Sequence, residues 1–255
     1  MDKIPSNYSI DQLENGIFLA ARGGGIRSCV SIGVLKALEE AKIPIRGVSG
    51  ESLSSIFAGL LAYGYDSEKI LELFLRYNKV LTRAAKIYGG RGSIVIEEEV
   101  NNVTNNVLMK DFRLNCYINA CYGRLLNPQT LVFSKETTPN ETIGTACRAS
   151  ASLPILFGNF SKIISGQEYK MFDGGFKENP HIPNTTFPVI YASFHNDLDY
   201  HSIIPPLKRT IDASNERSEI IIDAPVGNIL ITGSNDEMIK AYKSGYEQAK
   251  KILKL

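Results

Sequence analysis

The sequence has no tryptophan, only three histidines and only four cysteines among its 255 residues. Cys29, Cys116, Cys121 and Cys147 form no C-x-x-C pair, and His181, His195 and His201 are scattered. A zinc cluster is therefore not expected, and a reduced, cytosolic-type setting is. An excess of charge is lacking as well: 28 Lys and Arg stand against 27 Asp and Glu, a net charge of +1. Without a broad basic field, no nucleic-acid partner is expected. Nothing approaches the ~18 consecutive apolar residues that cross a bilayer. Residues 1–15 are polar, without the apolar segment of an export signal. The expectation is a cytoplasmic chain for which any lipid contact is peripheral. No internal repeat and no Pro-, Gly- or Ser-rich linker divides it, so a single domain over residues 1–255 is the simplest reading. With 44% hydrophobic residues, the chain holds enough apolar material for a sizeable core.

What is present alternates between strand and helix signals. Residues 16–21 are a short apolar run ending at Gly23-Gly24-Gly25, the pattern of a buried strand. Residues 28–41 repeat Val30, Val34, Ala37, Leu38 and Ala41 at three- and four-residue spacing, an amphipathic helix. Residues 44–49 read as a second strand. Residues 53–63 are apolar almost all round, a helix buried on most sides and stopped by Gly64. Asp66 or Ser67 caps the next helix, with Ile70, Leu71, Phe74 and Leu75 inward. Further on, 94–108 and 140–149 read as helices, and 116–122 and 130–133 as a strand pair. Strand signals recur at 169–172, 189–193 and 220–222, and 235–255 is a Lys-rich covering helix. A β-α-β-α opening predicts a largely parallel sheet between helices.

Three glycine-bearing turns carry the chemistry. Gly23-Gly24-Gly25-Ile26-Arg27 lies between a strand and a helix. Its glycines let backbone N–H groups turn toward one point at the positive end of a helix dipole. That suits a phosphate or a transient oxyanion, or serves only as a tight connection. Gly50-Glu51-Ser52-Leu53-Ser54 lies between the next strand and helix. It approaches G-x-S-x-G, whose small residues let strand and helix pass closely and leave the serine hydroxyl exposed on a sharp turn. Ser49 is a rival, but Gly50-Glu51 after it is poor helix material, whereas Ser52 runs straight into the apolar helix. A serine at such a turn also serves as a plain helix cap. Phe172-Asp173-Gly174-Gly175 follows a short strand and is either a simple turn or a carboxylate with open space beside it. A parallel sheet gathers strand ends on one edge, where Ser52 and Asp173 can meet. A serine needs a base. No histidine lies in a recognisable motif, so Asp173 takes that role if partial burial raises its basicity.

Together these motifs resemble the patatin-like phospholipase family: a glycine-rich oxyanion loop, a nucleophile elbow, and an Asp-Gly-Gly motif followed by Asn179-Pro180. Lys110-Asp111-Phe112, the strand at 114–120, and Arg148-Ala149-Ser150-Ala151-Ser152-Leu153-Pro154 with Phe157 resemble further blocks in the family's order. The similarity runs from about residue 16 to 180 and, more weakly, through 245–251. In that register the helix after the nucleophile ends at a glycine twelve residues on; Gly64 lies twelve past Ser52 and fifteen past Ser49. The resemblance implies an α/β fold, a three-layer α/β/α sandwich with a mostly parallel central sheet. It also implies a Ser52–Asp173 dyad, an oxyanion hole at Gly23, Gly24, Gly25, Ile26 and Arg27, an acyl-enzyme, and no metal or cofactor. The implied activity is lipid acyl hydrolysis of phospholipase A or lysophospholipase type, on a phospholipid or another acyl lipid. Three residues depart from the pattern. Ser28 and Ser54 replace glycines, and Glu51 sets a carboxylate beside the nucleophile, where it opposes a developing oxyanion. A catalytically weakened, lipid-binding protein is therefore an alternative.

Between Glu72 and Glu97 there is no acidic residue. Lys79, Arg83 and Lys86 fall there among apolar residues, which suits either a membrane-facing flap on anionic lipid or a solvated helix and loop. A second alternative is a nucleotide-binding module using Gly23, Gly25 and, as ribose ligand, Glu51. It lacks the third glycine, and its acid lies 28 residues past Gly23 where about 20 is usual. Cys29 and Cys147 read as packing residues, and His181, eight residues past Asp173, as a neighbour of the site. The sequence does not specify an oligomeric state.

Overall fold

The computed structural model describes residues 10–85, 92–124, 127–153, 160–176, 180–195, 219–229 and 232–255. The first apolar run is β1 (Ile17–Ala21), buried at every position. It needs no polar alternation because both faces of the sheet are packed there. Parallel strands β2 (Ile45–Glu51) and β7 (Val189–His195) flank it. β3 (Asn115–Arg124) extends the parallel set beyond β2, and β8 (Glu219–Pro225) beyond β7. β4 (Asn127–Phe133) and β6 (Gln167–Phe172) pair antiparallel with β3, and β5 (Phe160–Ile164) pairs antiparallel with β6. The eight-stranded order is β5-β6-β3-β2-β1-β7-β8, with β4 on β3. The fold is thus mixed α/β, a mostly parallel central sheet flanked by helices.

The helices are α1 (Cys29–Glu40), α2 (Leu53–Tyr63), α3 (Ser67–Ala85), α4 (Gly92–Val103), α5 (Ile143–Ser150) and α6 (Asn235–Leu253). The larger core joins their inner faces to Ile17, Leu19 and Ala21 of β1. The alternate β1 residues, Phe18 and Ala20, point to the other side, where they join Val189 and Tyr191 with Ile182 against them. Burying a side chain of this size stabilises by about 1.5–3 kcal/mol.

Several boundaries differ from expectation. β2 runs through Gly50 and Glu51, so the elbow is the strand's own end. Asp66 caps α3, its Oδ1 accepting from the Lys69 amide at 2.8 Å, while Ser67 bonds Glu39 instead. α4 ends at Val103, five residues short of the expected end. Asn105 and Asn106 both adopt left-handed backbone (φ 51° and 53°), which asparagine tolerates better than most residues. β5 escaped the sequence reading. It is joined to β6 through Ser165 and Gly166, both at positive φ, the turn a two-residue hairpin favours. No helix among the described residues is long and apolar enough to cross a membrane.

Candidate active site

β2 delivers the chain to the sheet edge and α2 carries it away, with Ser52 alone between them. Its backbone has φ 51° and ψ −133°, a strained conformation for a residue with a side chain, of the kind found where function demands it. A Cβ on Gly50 would lie 2.2 Å from the Ser54 carbonyl oxygen, so only glycine lets strand and helix pass this closely. Ser54, in the position of a second glycine, is fully buried, and its hydroxyl donates to the Arg22 carbonyl at 2.6 Å. It ties the elbow to the entrance of the glycine loop. Ser52 N–H donates to Ser150 Oγ at 2.9 Å, and Ser150 Oγ donates to the Asn119 carbonyl at 2.7 Å. Ser49, the rival nucleophile, is fully buried within β2, three residues before the turn.

Ser52 Oγ donates to Asp173 Oδ2 at 2.7 Å across 121 residues of sequence. The second carboxylate oxygen, Oδ1, accepts from Gly175 N–H at 2.8 Å, and the Asp173 N–H donates to the Ser152 carbonyl at 2.9 Å. Gly174 has no room for a side chain, since a Cβ would lie 2.0 Å from the Asn119 carbonyl oxygen. The meeting expected of Ser52 and Asp173 occurs, but not for the expected reason. β6 is not a parallel strand ending on the common edge. It runs back antiparallel along the projecting end of β3, with Phe172 opposite Cys121. That brings Asp173 down beside Asn119, which is the β3 partner of Glu51.

The Gly23-Gly24-Gly25 loop lies directly on the elbow. A Cβ on Gly23 would come within 2.9 Å of the Ser52 Cβ, and one on Gly24 within 2.1 Å of the Phe194 ring. Gly25 has φ 64°, the left-handed region that favours glycine, and opens the short 3-10 turn Gly25–Ser28 into α1. Glu51 is wholly buried, and its Oε1 accepts from the Gly23 N–H at 3.3 Å. The carboxylate anchors the loop and is not presented to an outside ligand. Arg27 Nε donates to the Gly24 carbonyl at 2.8 Å, and the Arg22 and Arg27 guanidiniums stack on Phe194, 5.1 and 4.8 Å from its centroid. Ile26 and Ser28 are buried in the turn, and Leu53 in the first turn of α2.

The other candidates take no part in the Ser52–Asp173 hydrogen bond. The His181 ring meets Tyr117 at a tilt, 5.5 Å between centroids, and its backbone N–H donates to Asn119 Oδ1 at 3.2 Å, next to the site. Burial pushes the thiols of Cys29 and Cys116 well above the ordinary range and that of Cys147 up to about 12, so none of the three is a ready thiolate. Lys79 is exposed on α3, Arg83 lies in its last turn, and Lys86 falls outside the described residues. No cluster of three or more metal-ligating side chains occurs among the described residues. Sequence reasoning had not singled out Ser150 and Asn119 as parts of the site. The signal available was their position within blocks already resembling the family, Asn119 in the strand at 114–120 and Ser150 in the block at 148–154.

A model of the patatin-like phospholipase family matches residues 19–186. Over 290 aligned residues the chain is 26% identical to a probable lipid hydrolase, 463L, of Invertebrate iridescent virus 6, covering 100% of this chain and 95% of that protein. It is 52% identical over 48 residues to the human patatin-like phospholipase domain-containing protein 6, 19% of this chain and 4% of that protein. Among solved structures, VipD from Legionella pneumophila aligns with a TM-score of 0.61 at 14% identity, covering 94% of this chain and 67% of that one. ExoU in its heterodimer with SpcU, from the type III secretion system of Pseudomonas aeruginosa, aligns with a TM-score of 0.56 at 16% identity, covering 94% and 52%. At these identities the likeness is one of fold.

Proposed function

The chain belongs to the patatin-like phospholipase family, and from that premise we propose that it is a lipid acyl hydrolase working through a Ser52–Asp173 dyad. The observation that carries this reading is the 2.7 Å hydrogen bond from Ser52 Oγ to Asp173 Oδ2. Ser52 Oγ attacks the ester carbonyl carbon and its proton passes to Asp173. The negative charge on the former carbonyl oxygen is received by backbone N–H groups of the glycine loop, Gly24 and Gly25 foremost, because the Gly23 N–H is engaged by Glu51. As the tetrahedral adduct collapses, Asp173 returns the proton to the departing alcohol. Water, deprotonated by the same carboxylate, then releases the fatty acid from Ser52. The chain's relation to the viral protein named a probable lipid hydrolase supports a lipid ester as substrate.

The decisive experiment is active-site labelling with a fluorophosphonate alongside hydrolysis of a soluble acyl ester. Labelling at Ser52 is expected, with turnover lost by about 10³-fold or more in Ser52→Ala and Asp173→Asn while the fold persists. Equal rates in the three proteins reject the dyad; intact lipid binding without turnover in the wild type marks a non-catalytic lipid binder. The substrate is met at a membrane surface, where Lys79, Arg83 and Lys86 draw the protein to anionic headgroups at about 1 kcal/mol each. Charge reversal at the three should weaken binding to phosphatidylserine vesicles and spare hydrolysis of the soluble ester. Unchanged vesicle binding removes these residues from the membrane contact.

A further inference from the structure

The Ser52 amide finds no acceptor in its own helix. At the start of α6, Glu237 takes the Ser234 N–H from three residues further on. Three residues past Ser52 stands Ser55, which offers no carboxylate. Its hydroxyl and its amide both donate to the Ser52 carbonyl, at 2.5 and 3.0 Å. The Ser52 N–H is taken instead by Ser150 Oγ at 2.9 Å, across 98 residues of sequence.

Ser150 is fully buried, and the one proton of its hydroxyl is spent on the Asn119 carbonyl at 2.7 Å. Only its lone pairs are left for the elbow, and two hydrogen bonds in line polarise one another. Both supports of this hydroxyl are regular structure. Asn119 is the β3 partner of Glu51, and Ser150 is the last residue of α5. Gly174 packs on the same hydroxyl, since a Cβ there would lie 3.1 Å from Ser150 Oγ. Two residues on, the Ser152 carbonyl accepts from the Asp173 N–H at 2.9 Å. The Ser152 hydroxyl closes that turn by donating to the Arg148 carbonyl at 2.6 Å. The end of α5 therefore holds the nucleophile and the base, each by its backbone amide. Arg148 anchors α5 in turn. It pairs with Glu97 of α4 at 2.8 Å, and its guanidinium lies 4.2 Å from the Phe160 ring centroid.

We infer that Ser150 is a positioning residue for the attack, its hydrogen bond holding Ser52 at φ 51° so that the hydroxyl stays on Asp173. The inference rests on the acyl-hydrolase reading and adds a residue that acts through Ser52 without meeting substrate. Released from Ser150, Ser52 relaxes toward the extended backbone that Ser234 adopts. There its hydroxyl accepts from an amide in the first turn of its own helix and is lost to Asp173. Misplacing a reacting atom by about 1 Å costs about 100-fold in rate.

The test measures kcat and KM for a soluble acyl ester, together with amide hydrogen exchange at Ser52. The proteins are the wild type, Ser150→Ala, Ser150→Cys and Ser150→Thr. Cysteine keeps the shape of serine but accepts hydrogen bonds weakly, whereas threonine keeps the hydroxyl and adds a methyl group. Ser150→Ala and Ser150→Cys should lose about 100-fold in kcat with KM within about twofold of wild type. Exchange at Ser52 should quicken about tenfold in both. Ser150→Thr should recover kcat to within about fivefold of wild type. A role in packing alone gives the reverse order, with Cys near wild type and Thr impaired, and that order overturns the inference. A loss carried by KM overturns it as well. If Ser150→Thr does not fold, Ser150→Cys decides: lowered kcat with faster Ser52 exchange sustains the inference, and unchanged exchange overturns it. If the wild type hydrolyses no ester and takes no fluorophosphonate at Ser52, the acyl-hydrolase reading falls. Faster exchange in Ser150→Cys then sustains the hold on Ser52 by itself, and equal exchange ends it.

Discussion

Helices α2 and α6 each begin at a serine N-cap, and the two serines are used in opposite ways. Ser234 has extended backbone (φ −83°, ψ 164°), and its hydroxyl accepts from the Glu237 N–H at 3.3 Å while the Glu237 carboxylate accepts from the Ser234 N–H at 2.7 Å. This capping box is complete within four residues and pulls the Glu237 carboxyl below its usual range through those bonds. Ser52 has φ 51°, and its hydroxyl makes no cap bond to α2. It is aimed instead at Asp173, and its N–H at Ser150, 98 residues away. A hydroxyl that caps its own helix is occupied. Straining the backbone withdraws the hydroxyl from that local task and turns it to Asp173, at a cost that neighbouring elements must offset.

Substitutions can break this contrast. At position 52, both Ala and Gly remove the hydroxyl and should lose turnover entirely, yet Gly should be the more stable by about 1–2 kcal/mol because it alone relaxes the positive φ. Equal stability by denaturant unfolding would show that Ser52 is not strained. The next largest effect is expected at Glu51. Glu51→Leu leaves the Gly23 amide without its acceptor, a loss of about 1–3 kcal/mol. On the oxyanion role proposed for the loop, which acts on charge developed in the transition state, kcat should fall about 100-fold with KM unchanged. Glu51→Gln keeps an acceptor and should stay within about threefold of wild type; a Gln variant as slow as Leu would mean that the charge, not the hydrogen bond, matters. The smallest effect is at the other serine. Ser234→Ala should cost about 1 kcal/mol of stability and leave the rate unchanged. The depressed Glu237 pKa means its contribution is present at neutral pH and fades as pH falls through the carboxylate range. Any loss of turnover in Ser234→Ala would link the terminal helix to the site.

Much of this was legible because it is written in local chemistry. The unbroken apolar run of β1 and the all-round apolarity of α2 state their burial directly; the glycines at 23, 24, 50 and 174 mark places where a Cβ finds no room, and Gly25 one where φ is positive. Asn105 and Asn106 were misread as helix because a hydrophobic period at Val103 and Val107 runs through them, while their left-handed backbone ends it. β5 was missed because its burial alternates only weakly and its pairing depends on a turn at Ser165 and Gly166. Ser150 and Asn119 were invisible as parts of the site because their roles are single hydrogen bonds to residues remote in sequence, which no period or spacing encodes.

The residue order by itself determined the family and the α/β class, and it pointed to Ser52 over Ser49 and to Asp173 as its partner. Glycine placement and apolar periodicity are short-range properties that a chain carries before it folds. Only the tertiary structure decided how the partners meet. It runs β6 antiparallel along β3 to set Asp173 beside the elbow and turns Glu51 inward to hold Gly23. Those outcomes depend on which surfaces pack together, and that is settled by the whole fold at once.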